Sequence, residues 1–157
     1  MEQQSIEARG VVEEAKQGAT RAMSVARHMH ANEGTGPSWG IEIEAAEEGY
    51  ARVGLRLTPQ MLNGFGTAHG AMIFAVADTA FAYACNSRNV KTIGQSCTMS
   101  FLDPGRPGER LVGEAREVAL RGRSAVYEIV VRGEDARVIA TMQALSRAIG
   151  GTVMDEA

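Results

Sequence analysis

The sequence predicts an α+β domain in which a curved antiparallel sheet wraps around one long central helix, with an extra helix at the N-terminus. Residues 70–86 predict the central helix, because this stretch is apolar on nearly every side and such a helix must be surrounded by the rest of the fold. Six β-like runs accompany it, two before and four after. Their short connections favour antiparallel pairing of successive strands.

Composition limits the possible functions. The chain has 157 residues, 45% of them hydrophobic and 22% charged, which is typical of one globular unit. Its net charge of −3 argues against nucleic acid as a partner. The apolar stretch 71–85 is shorter than the roughly 20 residues of a membrane span, so no membrane partner is expected. The two cysteines, Cys85 and Cys97, form no disulfide or zinc pattern, which favours a cytoplasmic protein with buried, reduced thiols and no bound metal.

The first predicted element is a helix. Residues 1–10 show no period, but apolar side chains over residues 11–29 recur every three or four positions. Because Gly18 weakens helical propensity, the helix is expected to begin at Val11 or only near Thr20. The glycines and the proline of residues 34–37 then predict a linker.

Two strands are expected to follow as a hairpin. Residues 41–46 alternate loosely and residues 50–57 alternate cleanly between apolar and polar side chains, and Pro59 ends the second strand. Residues 60–69 form a glycine-punctuated loop before the central helix. Four further strands are predicted after that helix, near residues 92–102, 109–120, 124–133 and 136–148.

Asp78 is the only charged residue between His69 and Arg88. Burial of an unpaired carboxylate is costly, or it raises the pKa until the group is neutral, so this side chain needs solvent, a partner or a function. Two interpretations stay open. Asp78 either reaches solvent or accepts hydrogen bonds from neighbours such as Thr79, or it is the carboxylate of a functional site, where such groups are enriched.

The loop from Asn63 to Gly70 leads straight into the central helix. A helix N-terminus offers free backbone N–H groups and the positive end of the dipole, which suits a developing oxyanion. Gly70 would let a carbonyl approach its own N–H closely. Asn63 and His69 either orient a substrate or a water, or serve only the turn and the entry into the helix.

The spacing of Gly70 and Asp78 has a consequence for assembly. They are eight residues apart, which is roughly 12 Å along a helix that rises 1.5 Å per residue. One carbonyl carbon cannot lie within ~3 Å of both groups. If both act on the same bond, a two-fold dimer with antiparallel central helices must supply one group from each protomer. The functional interpretation therefore requires a homo-oligomer.

The run from Met61 to Ser87 resembles the hotdog-fold acyl-CoA thioesterases, and within them the phenylacetate-degradation thioesterase subfamily. The similarity extends from about His28 to Thr152. It implies an N-terminal extension and helix over residues 1–33 and a hotdog thioesterase domain over residues 34–157. The motifs that carry the resemblance are Met61-Leu62-Asn63-Gly64, His69-Gly70, Ala77-Asp78-Thr79, and Ser100-Phe101-Leu102-Asp103-Pro104-Gly105.

The resemblance implies hydrolysis of acyl-CoA thioesters, with phenylacetyl or hydroxyphenylacetyl as the expected acyl group. It implies that Asp78 acts as nucleophile or as general base on water, that the Gly70 N–H polarises the thioester carbonyl, and that His69 and Asn63 support them. Water is the co-substrate and no cofactor is implied. The implied assembly is a dimer of dimers with its sites at the dimer interface.

Five residues are expected to contact substrate. Phe65 replaces a histidine of the relatives and could pack against an aromatic acyl group. Thr79 or Ser96 is a candidate to orient the water, because Gly94 stands where some relatives place a serine. Two arginines and a serine at a predicted hairpin turn either grip the phosphates of coenzyme A or form a solvated turn. These are Arg121, Arg123 and Ser124.

Two other functions stay open. A hotdog hydratase or dehydratase would act on the acyl chain itself and would pair the carboxylate with a histidine. A non-catalytic acyl-CoA-binding sensor would bind the same ligand without turnover. The N-terminal 40 residues carry no excess of basic side chains, which disfavours a DNA-binding version of such a sensor.

Overall fold

A computed structural model describes the backbone of residues 2–155 and the side chains of residues 16–155. It confirms the predicted fold class: one six-stranded antiparallel sheet wraps around a central helix, with a further helix at the N-terminus. The helices are α1 (Glu2–Asn32), α2 (Thr35–Trp39) and α3 (Gly70–Asn86). The strands are β1 (Glu42–Glu47), β2 (Tyr50–Arg56), β3 (Thr92–Phe101), β4 (Arg110–Arg121), β5 (Ser124–Arg132) and β6 (Val138–Ala148).

The N-terminal region differs from the prediction in two respects. Helix α1 begins at Glu2, earlier than either predicted start, so Gly18 does not interrupt it. The predicted linker contains the short helix α2, which ends at Gly40 in a left-handed conformation (φ 72°). Only glycine adopts that conformation without cost, and the Gly40 N–H closes the last turn by donating to the carbonyls of Gly36 and Pro37.

Helix α1 is attached to the domain by apolar and polar contacts. Ala22 and Ala26 of the predicted stripe are fully buried, whereas the side chains of Val11 and Ala15 lie outside the described residues. The fully buried Tyr83 of α3 donates its hydroxyl proton to Glu33 Oε1 at 2.5 Å. The Tyr83 oxygen also lies 3.0 Å from Nδ1 of His30. Since a phenol has one proton, the His30 nitrogen is the donor in this second bond.

The sheet has the strand order β1-β2-β4-β5-β6-β3, and α3 packs on its inner face. The closest approach is at Gly113 of β4, where a β-carbon would lie 2.9 Å from the Val76 carbonyl oxygen. The absence of a side chain at Gly113 therefore allows α3 to pack closely against β4. At the other end of α3, Asn86 donates to the Thr92 carbonyl and accepts from the Thr92 N–H, both at 2.9 Å, which ties the helix to β3.

The two edges of the sheet are unequal. Strand β1 lies against α1, whereas the ten residues of β3 are all exposed or half-buried. Ile93 and Phe101 of this strand, and Leu102 just after it, are 50%, 55% and 61% exposed. A long, apolar, unpaired edge is a surface on which another strand can pair. No helix in the described part of the chain is both long and apolar enough to cross a membrane.

Candidate active site

The first turn of α3 leaves one backbone amide free. His69 caps the helix, because its Nδ1 accepts from the Ala71 N–H at 3.0 Å and its carbonyl accepts from the Met72 N–H at 2.9 Å. The Gly70 N–H finds no acceptor among residues 2–155. This amide therefore keeps its hydrogen-bonding capacity at the positive end of the helix dipole.

Asn63 organises the loop before α3. Its Oδ1 accepts from the N–H groups of Phe65 and Thr67 at 2.9 and 3.2 Å, and its Nδ2 donates to Thr67 Oγ1 at 3.0 Å. Asn63 is thus a turn residue, as one interpretation of the sequence held. Asn63 also lines the cavity beside Gly70.

Gly70 lies in the wall of an open cavity of about 360 Å³. A β-carbon at this position would lie 3.5 Å from the ring of Phe101, so glycine leaves the space beside the amide open. The remaining wall comes from the loop, from α3 and from the segment at the end of β3: Asn63, Ala68, Ile73 and residues 101–104.

Asp78 lies midway along α3 and is exposed in the single chain. It makes no hydrogen bond or ion pair within the described residues, and Thr79, half-buried beside it, donates none to it. Its neighbours one turn away on the same face, Ala75 and Ala82, are small. Although the side chain is exposed, the surrounding chain removes part of the solvent from the Asp78 carboxyl, and this desolvation raises its pKa above the usual value. This carboxylate is unpaired and sits on an open helix face.

Phe65 lies at the tip of the loop and is 94% exposed. Its ring does not anchor the loop in the core of its own chain. Gly66 next to it has a positive φ of 75°, which closes the turn. The ring is therefore free to contact a ligand or a second protomer.

Arg121 and Arg123 lie at the β4–β5 turn, with Ser124 at the first position of β5. Arg121 donates to the Leu120 carbonyl at 3.1 Å and Arg123 donates to the Ala148 carbonyl at 2.9 Å. No carboxylate pairs with either guanidinium among residues 16–155. Two unneutralised arginines at one turn favour an anionic ligand.

A second, smaller cavity of about 130 Å³ lies beneath this turn, and Cys85, Arg123 and Tyr127 line it. Burial, helped by the charge of Asp78, raises the pKa of Cys85 to about 12, so it is a thiol rather than a nucleophilic thiolate at neutral pH. Cys85 is buried as predicted. The same prediction is wrong for Cys97, which is exposed because β3 is an edge strand.

One chain does not bring all the predicted site residues together. Asn63, Phe65, His69 and Gly70 gather at the N-terminal end of α3. The β4–β5 turn that carries Arg121, Arg123 and Ser124, here called the arginine turn, lies at the C-terminal end of α3, roughly 25 Å away along this 17-residue helix. Asp78 and Thr79 lie between the two ends.

The sequence reasoning did not assign Asp103 and Pro104 to the cavity. In the sequence these residues belong to a motif of the resemblance and to a turn between strands, and neither assigns them a place beside Gly70. The segment reaches Gly70 because β3 pairs with β6, and the Leu102 and Asp103 N–H groups donate to the Ile139 carbonyl. No local signal predicts that pairing.

The comparisons with known proteins agree on one family. A model of the thioesterase superfamily matches residues 65–140. The acyl-coenzyme A thioesterase PaaI of Escherichia coli is 37% identical over 137 residues, which cover 87% of this chain and 98% of that protein. A putative esterase of Archaeoglobus fulgidus is 32% identical over 113 residues, 72% of this chain and 73% of its own length. Among solved structures, E. coli PaaI superposes with a TM-score of 0.84 at 36% identity, over 85% of this chain and 97% of that one.

The antiparallel sheet wrapped around one central helix, together with the structural match to PaaI, defines a hotdog-fold protein. The chain belongs to the thioesterase superfamily. The resemblance seen in the sequence motifs, to the phenylacetate-degradation subfamily of hotdog thioesterases, is confirmed.

Proposed function

We propose that this protein hydrolyses acyl-CoA thioesters to the free acid and coenzyme A in the cytoplasm. The free Gly70 N–H beside an open cavity carries the proposal, because a preorganised donor of this kind stabilises the oxyanion of acyl transfer. The similarity to a protein named acyl-coenzyme A thioesterase supports the substrate class.

The proposed chemistry divides between the two groups on α3. The Gly70 N–H donates to the thioester carbonyl oxygen and holds its negative charge as the carbonyl is attacked. The Asp78 carboxylate either takes a proton from the attacking water or attacks the carbonyl carbon itself. In both routes the C–S bond breaks, and the coenzyme A sulfur leaves and takes up a proton. In the first route the attacking water supplies the second oxygen of the acid directly. In the second route an acyl–aspartyl anhydride forms, and water then cleaves it to release the acid and restore the Asp78 carboxylate. No metal or other cofactor takes part in this proposal.

The proposed site lies between two protomers. Placing Gly70 of one chain beside Asp78 of its partner requires antiparallel α3 helices that cross near residue 74, halfway between them. Within each chain α3 and β3 run in opposite directions, since Gly70 lies nearest Phe101 and Gly94 lies nearest Phe81. The same two-fold axis then passes β3 near residues 98 and 99. Two exposed β3 edges would pair there as antiparallel strands and make one continuous sheet.

This geometry predicts a specific cross-link. In a Cys97→Ser background, Thr98→Cys or Met99→Cys should form a disulfide between protomers under mild oxidation, because residues opposite each other in antiparallel strands have Cα atoms about 4.5–5.5 Å apart. Non-reducing electrophoresis measures the dimer band.

Ile93→Cys in the same background is the matched control. It is an exposed position on the same strand, but its two copies would lie about 35 Å apart. A dimer that forms the bond at position 93, or at none of the three positions, contradicts the proposed pairing. Light scattering on the same samples tests the further proposal that dimers pair into tetramers.

In such a dimer the arginine turn of one chain comes close to the Asn63 loop of its partner, because both lie toward the same end of the paired helices. Arg121, Arg123 and Ser124 are proposed to hold the phosphates of coenzyme A there. Phe65 and Thr79 are proposed to contact the acyl group and the water.

We expect aryl-acetyl thioesters to be the preferred substrates, and with them a role in phenylacetate catabolism. The relative in E. coli comes from the phenylacetic acid degradation operon, and the exposed Phe65 ring offers an aromatic partner worth about 0.5–1.5 kcal/mol. A free-thiol assay with phenylacetyl-, hydroxyphenylacetyl-, benzoyl- and straight-chain acyl-CoAs should show the highest kcat/KM for the first two, by about 10-fold.

A preference for straight chains would contradict the acyl-group proposal and leave hydrolysis standing. Hydration of crotonyl-CoA without thiol release would favour the hydratase. Binding of acyl-CoA without either reaction would favour the sensor.

A further inference from the structure

A buried ion-pair cluster lies next to the proposed site, where the turn between β5 and β6 meets the start of β4. Glu109 is only 6% exposed and accepts two hydrogen bonds from Nη2 of Arg137, at 3.0 and 3.1 Å. Glu109 Oε2 also accepts from the Arg106 N–H at 2.8 Å. A β-carbon at Gly133 would overlap Glu109 Oε1, so glycine makes room for this carboxylate. The cluster is thus built around the guanidinium of Arg137.

The same guanidinium holds the cavity wall that faces Gly70. Its Nε lies 2.9 Å from Asp103 Oδ2, and its Nη2 donates to the Pro104 carbonyl at 3.3 Å. Asp103 and Pro104 line the cavity together with Gly70. This segment belongs to neither a helix nor a strand, so its position depends on such bonds and on the Asp103 N–H, which donates to the Ile139 carbonyl at 3.2 Å.

Directly after this wall of Asp103 and Pro104, the chain contacts the segment that leads into α3. The Gly105 carbonyl accepts from the Ala68 N–H at 2.9 Å. A β-carbon at Gly105 would lie 2.7 Å from the Ala68 β-carbon, so only glycine lets the chain at 105 pack this closely against Ala68. Ala68 stands two residues before Gly70. A shift of the wall would therefore move the amide that the proposed reaction uses.

We propose that Arg137 is a positioning residue of the thioesterase site, which holds the Asp103–Pro104 wall in place against the entry of α3. This inference rests on the proposed function. The arginine side chain contacts both carboxylates at once, Glu109 through hydrogen bonds from Nη2 and Asp103 through an ion pair at Nε, whereas the single ammonium of lysine cannot occupy both positions. A misplacement of about 1 Å at a reacting centre can cost about 100-fold in rate.

Two variants test the proposal. Arg137→Lys keeps the charge and loses the simultaneous contact with Glu109 and Asp103. Arg137→Met combined with Glu109→Gln removes the pair without leaving a buried carboxylate unpaired, which protects folding. We expect kcat to fall about 10- to 100-fold in both, with KM changed by less than about threefold, because the binding surface for coenzyme A is not altered.

The matched control is Arg106→Met, which removes an exposed ion pair with Asp135 at the same end of the sheet and leaves the backbone bond to Glu109 in place. It should keep kcat within twofold of the parent. A loss of activity in this control equal to that of the Arg137 variants would show that any disturbance of this region has the same effect, and would overturn the assignment to Arg137.

Amide hydrogen exchange gives a readout that does not depend on turnover. In the double variant, exchange over residues 61–71 and 101–106 should be faster than in the parent and in the control, measured at a temperature where all three are folded. Unchanged exchange and unchanged kcat in a folded variant would overturn the proposal. If the unmodified protein releases no thiol from any acyl-CoA, the proposed function fails, and the exchange data alone then decide whether Arg137 positions the entry of α3.

Discussion

Asp78→Asn should lower kcat for acyl-CoA hydrolysis by about 100-fold or more. The amide keeps the shape of the side chain but can neither take a proton from water nor attack a carbonyl, and positioned acid–base catalysis alone contributes about 10²–10⁴-fold. Folding should survive in both Asp78→Asn and Asp78→Ala, because the carboxylate has no partner in the described chain that its loss would leave unpaired. Free-thiol release with purified, folded variants measures the effect.

Glu128→Gln provides the control for this change. Glu128 is exposed on β5, and its replacement removes one carboxylate charge about 13 Å along the strand from Ser124. The control should retain full activity. Full activity of a correctly folded Asp78→Ala protein would exclude Asp78 from the chemistry.

The pH dependence follows from the same carboxylate. Only ionised Asp78 can act as base or nucleophile, so kcat/KM should fall as the pH falls through its pKa. Because burial raises that pKa, the acidic limb of the profile should lie above the usual aspartate range. Asp78→Asn should lose this limb along with most of the rate.

Mixing two inactive variants should restore activity. In a heterodimer of Asp78→Ala with Gly70→Val, one site combines the intact Gly70 of the first chain with the intact Asp78 of the second, and the other site is damaged twice. Random exchange makes half of the dimers mixed, with one intact site each, so the mixture should regain about a quarter of the parent activity.

Each variant alone should stay inactive, because Gly70→Val fills the space beside Phe101 and blocks the amide. Subunit exchange is followed with one variant carrying a fluorescent label. A mixture that exchanges completely and stays inactive would show that each site is built within one chain.

From the first hairpin onward the fold could be predicted to within a few residues, because its signals are local. The alternation over residues 50–57 and the apolar run of 70–86 match β2 and α3 closely. The linker over 34–37 was wrong because glycine and proline also suit a short helix that begins and ends there. The early start of α1 was missed because its first ten residues show no apolar period.

The site could be predicted only in part. Asp78 stood out because it is the lone charge in an apolar helix, and Gly70 because it opens that helix. That the Gly70 N–H is the free one depends on how the His69 side chain folds back onto Ala71. Asp103 and Arg137 lie 34 residues apart and meet only because their turns lie at the same end of the sheet. The spacing of Asp103 and Arg137 in the sequence does not predict this contact.

The bare β3 edge also bears on how this protein would be made in a cell. A single chain leaves one edge of the ten-residue strand β3 unpaired, so if a second copy pairs with this edge, as proposed, the pairing is a bimolecular step whose rate depends on the square of the chain concentration. At low expression that step is slow, and the single chain stays exposed to proteases and to pairing with strands of other proteins for longer. If two copies complete each site, catalytic output should rise more steeply than protein abundance when the chain is scarce.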